Sequence, residues 1–228
     1  MPTDSSVPFN DPAATSSYAS RTRRLVPGYD DMLRMAGLLV AERAPADGSI
    51  LVVGAGGGAE IATFARLQPQ WRFTGVDPAQ PMLDLARETL GPVMERVQLH
   101  HGYVDTAPAG PFDAATCILT LHFVAVAERV RTLEQIRSRL KPGAPFVMAH
   151  LSFPQAPEDK QLWLSRYVAF AVSSGVDLSD GRNAVSVMES KLTLLSPADE
   201  ETMLCEAGFS ATQTFYQGFT FRGWVAWA

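Results

Sequence analysis

The stretch ILVVGAGGGAE, Ile50 to Glu60, passes from four β-favouring apolar residues into a loop of Gly54, Ala55, Gly56, Gly57 and Gly58. Four β-favouring apolar residues in a row fit a strand. Glycine lets backbone approach a ligand where a Cβ would clash, and a following helix would aim its free N–H groups at the same place. Downstream, short apolar segments alternate with helical patterns: EIATFARL, WRFTGVD, PMLDLARETL, VQLHH, FDAATCIL, ERVRTLEQIRSRL and PFVMAHL. That alternation predicts an α/β fold, a doubly wound Rossmann-like sheet that is mostly parallel.

The flanks extend the reading. Residues 1–12, rich in Pro, Ser and Asp, suit a loose arm, followed by a short helix and a Pro27-Gly28 turn. A helix starts near Tyr29 and sets Met32, Leu33, Met35, Ala36, Leu39 and Val40 at helical spacing, with Asp30 and Asp31 in its first turn. Residues 1–28 are therefore expected to form an arm or lid, and 29–228 a single domain. After His150 a Pro-rich loop and two helices predict a helical cap over about 152–195. Ser196 and Pro197 then open another helix that Gly208 stops. The end, FSATQTFYQGFTFRGWVAWA, predicts an antiparallel hairpin joined at Gln217-Gly218.

Composition narrows the function classes. A length of 228 residues suits one α/β domain with a cap, and a net charge of -5 argues against a generally basic nucleic-acid binder. The N-terminus lacks a basic segment followed by an apolar core, and no apolar run is long enough to span a membrane, so a cytoplasmic location is expected. Cys117 and Cys205 are too few and too far apart for a zinc site and read as buried free thiols. His100 and His101 are neighbours in a strand, point to opposite faces and make no metal pair.

The glycine loop alone does not choose its ligand, because Gly54, Gly56 and Ala59 also satisfy the dinucleotide pattern G-x-G-x-x-A. Asp77 ends the next strand 23 residues after Gly54, where a carboxylate can accept both ribose hydroxyls; its plainer role is to cap the helix that follows. Met82 stands where it would lie against an adenine or simply pack in the core. A nicotinamide enzyme further requires a second nucleotide-binding half or a catalytic Tyr/Lys, Ser or His constellation, and neither is evident. Two histidines are candidate general bases: His122 in LTLHF, past the fourth strand, and His150 at the carboxyl end of the fifth. Trp163, Arg166, Tyr167 and Phe170 sit at helical spacing in the cap, either as lid packing or as a cover for an acceptor.

The strand–helix series, followed by L-K-P-G, a strand, a cap and a terminal hairpin, resembles the class I S-adenosylmethionine (SAM)-dependent methyltransferases over about residues 25–228. VPGYDDM, AQPML, LTLHF, Met188-Glu189 and CEAGF…FYQGFTFRGWVAW are similar to the carboxy-SAM synthase family, which converts SAM with prephenate into a carboxylated SAM used in tRNA wobble-uridine modification. The resemblance implies SAM as cofactor, with Tyr29, Gly54, Ala55, Gly56, Asp77, Pro78, Tyr103, Val104 and Ile118 facing it, and suggests a homodimer. The chain departs from the family pattern where Tyr103 replaces an acidic residue, Ile118 an Asn and Ser186 an Arg, with Arg182 one helical turn upstream as the alternative cation. Val52 also stands where many methyltransferases carry an acidic residue, so the methionine ammonium must be held by backbone carbonyls, water or another side chain. These departures favour an enzyme that uses ordinary SAM to methylate a small-molecule acceptor. Carboxy-SAM synthesis and non-catalytic SAM binding are the alternatives, and an NAD oxidoreductase ranks last.

Overall fold

The computed structural model describes residues 18–228, so the expected arm over 1–12 lies outside them. Two helices, α1 (Tyr18–Leu25) and α2 (Tyr29–Ala41), precede the sheet. The alternating series then runs β1 (Ser49–Val53), α3 (Ala59–Leu67), β2 (Arg72–Asp77), α4 (Gln80–Leu90), β3 (Val97–His101), β4 (Ala114–Ile118), α5 (Val126–Arg137) and β5 (Pro145–Leu151). The chain continues through α6 (Pro157–Ser173), α7 (Leu178–Lys191) and α8 (Pro197–Glu206), and closes with β6 (Ser210–Gly218) and β7 (Phe221–Trp227).

The strands form one seven-stranded sheet in the order β3-β2-β1-β4-β5-β7-β6. β1 pairs in parallel with β2 and β4, and only the terminal hairpin runs antiparallel, with β7 against β5. The chain reverses direction across the sheet at β1, between β2 and β4. Loops at the carboxyl ends of those strands therefore diverge and leave a crevice, the usual ligand position in this topology.

Each sheet face has its own apolar core. On one side Val52, Ala114, Ile118, Val147 and Ala149 pack with Met32, Leu33, Ala36 and Val40 of α2, Ile61 and Phe64 of α3, and Leu164 and Tyr167 of α6. On the other, Leu51, Ala115, Cys117, Phe146, Met148 and Trp224 pack with Leu133 and Ile136 of α5 and Leu204 of α8. β1 and β4 are buried on both faces, which is why ILVV shows no alternation.

Several expectations need correction. Met35 is exposed, because α2 turns a narrower face to the sheet than its apolar spacing suggests. Cys205 is exposed; its neighbour Leu204 takes the inward position on α8. The hairpin turns at Phe219-Thr220, two residues later than expected, with Phe219 at φ 50°. Gly218 stays in β6 because a Cβ there would overlap the Tyr216 hydroxyl, which itself donates to the Pro27 carbonyl at 2.5 Å. The glycine thus serves a close side-chain approach that a turn motif mimics.

Candidate functional site

The loop after β1 is fixed to the end of β2. Gly54 and Ala55 donate their N–H groups to the Val76 carbonyl at 2.8 and 3.0 Å, and Gly56 donates to Asp77 Oδ2 at 2.9 Å. Gly54, Gly56 and Gly58 have φ of 74°, 50° and 81°, a region that side chains with a Cβ rarely occupy. At Gly54 a Cβ would also overlap the Thr120 side chain, so the strand-four loop can close over it. At Gly56 a Cβ would meet only Met82 Cε at 3.4 Å and the Gly54 carbonyl, which leaves that backbone open to a ligand.

Asp77 stands behind this loop. Its Oδ1 accepts from Ala79 N at 2.9 Å, so both carboxylate oxygens have a backbone donor and each keeps a lone pair for a ligand hydroxyl. The local capping role therefore leaves acceptor capacity on both oxygens. Burial pushes the Asp77 carboxyl up, and the Ala79 and Gly56 amides together with nearby His101 offset part of that rise.

An open cleft lies in front of the loop. Tyr29 and Leu33 of α2 form one wall, Ala55 to Gly57 with Ala59 and Glu60 the floor, and Ile118 and Leu119 the far side. Leu119 has φ 56° and donates to the Ala149 carbonyl at 2.6 Å. A branched residue held in the left-handed region beside a cleft is a local strain of the kind concentrated at binding sites.

Of the residues expected to face a ligand, Tyr29, Ala55, Gly56 and Ile118 line the cleft. Gly54 and Asp77 support the loop from behind it. Pro78 is half-buried, and its carbonyl lies 2.9 Å from His101 Nε2. Met82 is buried in α4 with its methyl beneath Gly56. Val104 is buried in the second core, whereas Tyr103, 50% exposed, stands on the surface beyond the end of β3.

The candidate bases are placed differently. His122, in a 3-10 turn over Leu121–Phe123, is buried; its Nδ1 accepts from Leu151 N at 3.3 Å. Burial, with His150 and Arg129 nearby, lowers its pKa well below the usual imidazole value, so the ring is neutral and its basic nitrogen is engaged. His150 lies within β5, one residue earlier than a strand-end position, and is fully buried. Its Nε2 is 2.9 Å from Glu200 Oε1, and the same carboxylate is bonded by Arg129 Nη1. Neither histidine lines the cleft.

Sequence reasoning passed over Glu60. It sits in the first turn of α3, lines the cleft and is 6% exposed, and its Oε1 has no hydrogen-bond partner among the described residues. Burial pushes its carboxyl up to about 8, and the neighbouring Thr116 hydroxyl offsets only part of that. Ser186 and Arg182 are both exposed on α7. Among the described residues that line the cleft there is no Arg or Lys, and no His/Cys/Asp/Glu cluster suited to a metal occurs in the described part. None of the described helices is long and apolar enough to cross a membrane.

Comparison with known proteins agrees with this geometry. Residues 50–143 match the model of a methyltransferase domain, covering β1 through the turn before β5. The carboxy-S-adenosyl-L-methionine synthase of Chromohalobacter salexigens is 30% identical over 228 residues, covering 95% of this chain and 82% of that protein. An O-methyltransferase family protein from Burkholderia thailandensis superposes with a TM-score of 0.69 at 15% identity, over 97% of this chain and 61% of that one. Human N-acetylserotonin methyltransferase in complex with SAM gives 0.60 at 18% identity, over 99% and 62%. This chain thus spans only about three-fifths of those two solved chains, and they speak to the fold alone. With the near full-length relative and the domain match, the chain belongs to the class I SAM-dependent methyltransferases and, within them, to the family that contains the carboxy-SAM synthases.

Proposed function

We propose that this protein transfers a methyl group from SAM to a small-molecule acceptor by in-line displacement. The observation that carries the reading is the glycine loop tied to Asp77 and opening on a cleft with no cationic side chain among its described lining residues. The sulfonium of SAM supplies an already activated methyl group. The chain's own residues then have two tasks: Asp77 and the Gly56 backbone orient the nucleoside end, and Tyr29, Leu33, Ile118 and Leu119 shield the reacting centre from water.

Because His122 is neutral with Nδ1 occupied and His150 is tied to Glu200, neither is offered as the general base. An acceptor that reaches the cleft already ionised, such as an acidic phenol or an acidic carbon, needs none.

Carboxy-SAM synthesis is the second reading, favoured by the near full-length synthase relative. A carboxylated SAM carries an extra anion, and a desolvated anion without a cation costs several kcal/mol. The exposed positions of Ser186 and Arg182 speak against that reading. Native mass spectrometry of gently purified protein separates the two: retained SAM or S-adenosylhomocysteine is expected, and retained carboxy-SAM would reverse the order. A screen of acidic and phenolic metabolites, read out as S-adenosylhomocysteine formation, then identifies the acceptor. No binding of SAM by calorimetry would end the proposal.

A further inference from the structure

Glu60 is a buried titratable group on the cleft that takes no part in the proposed methyl transfer. Its position makes a structural role hard to assign. A carboxylate needed only for the helix dipole of α3 would do as well in solvent, where Glu60's charge would cost nothing. Instead the side chain is turned inward, 94% removed from solvent by its 6% exposure, with Oε1 unbonded and an edge on the cleft. It lies beside Thr116, the β4 residue directly opposite Val52 in the parallel register. Val52 itself is fully buried and uncharged. The carboxyl therefore reaches the part of the floor that β1 leaves without charge.

Gly56 divides the floor of the cleft. Its N–H bonds Asp77, and Gly56 and Glu60 line the same cleft. A ligand whose ribose is held at Asp77 and which crosses Gly56 brings its amino-acid end to Glu60. Of the two cationic centres of SAM, the sulfonium has no hydrogen to donate and must face the acceptor. The α-ammonium carries three N–H donors, the complement of an unbonded carboxylate oxygen.

We infer that Glu60 binds the α-ammonium of the ligand, supplying from α3 the negative charge that β1 lacks at Val52. The inference rests on the SAM reading above. In the free protein Glu60 carries its proton at neutral pH; on binding, that proton passes to the buffer and the carboxylate pairs with the ammonium.

The test uses two ligands that share the nucleoside and the sulfur: S-adenosylhomocysteine, which has the amino-acid end, and 5′-methylthioadenosine, which lacks it. Each is titrated calorimetrically into the wild-type chain and into Glu60→Gln. The expected result is a loss of about tenfold or more for S-adenosylhomocysteine in the variant, the scale of a hydrogen bond to a charged group, and less than about twofold for methylthioadenosine. Heats in two buffers of different ionisation enthalpy provide a measurement on the wild type alone, which decides the matter if the variant does not fold. About one proton released with S-adenosylhomocysteine at pH 7, and none with methylthioadenosine, is expected. Unchanged S-adenosylhomocysteine affinity, equal losses for both ligands, or no proton release would overturn the assignment. If the wild type binds methylthioadenosine but gains nothing from the amino-acid end, Glu60 is wrong while the nucleoside site stands; if it binds neither ligand, the SAM reading itself falls and takes Glu60 with it.

Discussion

Two buried glutamates on opposite faces of the sheet show how differently this fold treats the same side chain. Glu200, on α8, is fully buried with Arg129 Nη1 bonded to its Oε1 and His150 Nε2 2.9 Å from that oxygen. Arg129 in turn donates Nη2 to the Thr193 carbonyl at 2.5 Å and Nε to the Val124 carbonyl at 3.3 Å. Burial alone would push Glu200 up, but His150 and Arg129 outweigh it and hold the carboxyl below its usual range. Glu60 is nearly as buried, has no such cation and sits protonated beside the cleft. A fold that sets Arg129 and His150 against one buried carboxylate and no cation against the other has separated a structural charge from one whose countercharge comes from outside.

The largest effect should come from breaking the paired side. Arg129→Met leaves Glu200 buried with one of its two countercharges gone, and a loss of about 3–5 kcal/mol in denaturant unfolding is expected. A loss below about 1 kcal/mol would mean the cluster is incidental to stability.

The unpaired side is tested by pH. Glu60 has a folded pKa raised from 4.5 to about 8, so between those values the folded state holds a proton that the unfolded state has released. Stability of the free protein should therefore fall as pH rises through that window, by at most about 1.4 kcal/mol per pH unit, and level off above it. Glu60→Gln should remove this component; a variant with the same slope as wild type would locate the titration elsewhere.

Asp77 is a third carboxylate, held by two backbone amides. Asp77→Asn keeps its shape and removes its charge, and should weaken SAM by about 1.5–3 kcal/mol in a calorimetric titration. Unchanged affinity would remove Asp77 from the ribose site. The smallest effect belongs to Glu189, which meets Lys160 at 3.3 Å with both side chains partly in solvent. Lys160→Ala should change thermal stability by about 0–1 kcal/mol, and less at high salt.

Much of this contrast was hidden from the sequence for physical reasons. The sheet was legible because ILVV, WRFTGVD and PFVMAHL are short apolar runs punctuated by Gly and Pro, and strand periodicity is a local signal. The loop and Asp77 were legible because their spacing follows from one strand–helix–strand unit. Arg129 and Glu200 are 71 residues apart, and nothing local links them. His150 looked available because a strand end usually opens on the crevice, yet α8 and Trp224 close over it; its ring lies 5.7 Å from that indole. Glu60 passed for an ordinary acidic residue in a helix's first turn. The signal that points to it is a conjunction: a carboxylate two residues after Gly58, on a chain whose first strand carries Val52 in place of an acid.

The central claim is that the crevice at the carboxyl ends of β1 and β4 is a SAM site. The most direct measurement is a calorimetric titration of SAM into the purified wild-type chain, repeated with Gly56→Asn, which puts a side chain on the open stretch of loop backbone and is the residue type that best tolerates its φ of 50°. The account predicts saturable one-site binding by the wild type and its loss in the variant with the fold retained by circular dichroism. Equal binding by both proteins, or none by the wild type, would contradict it.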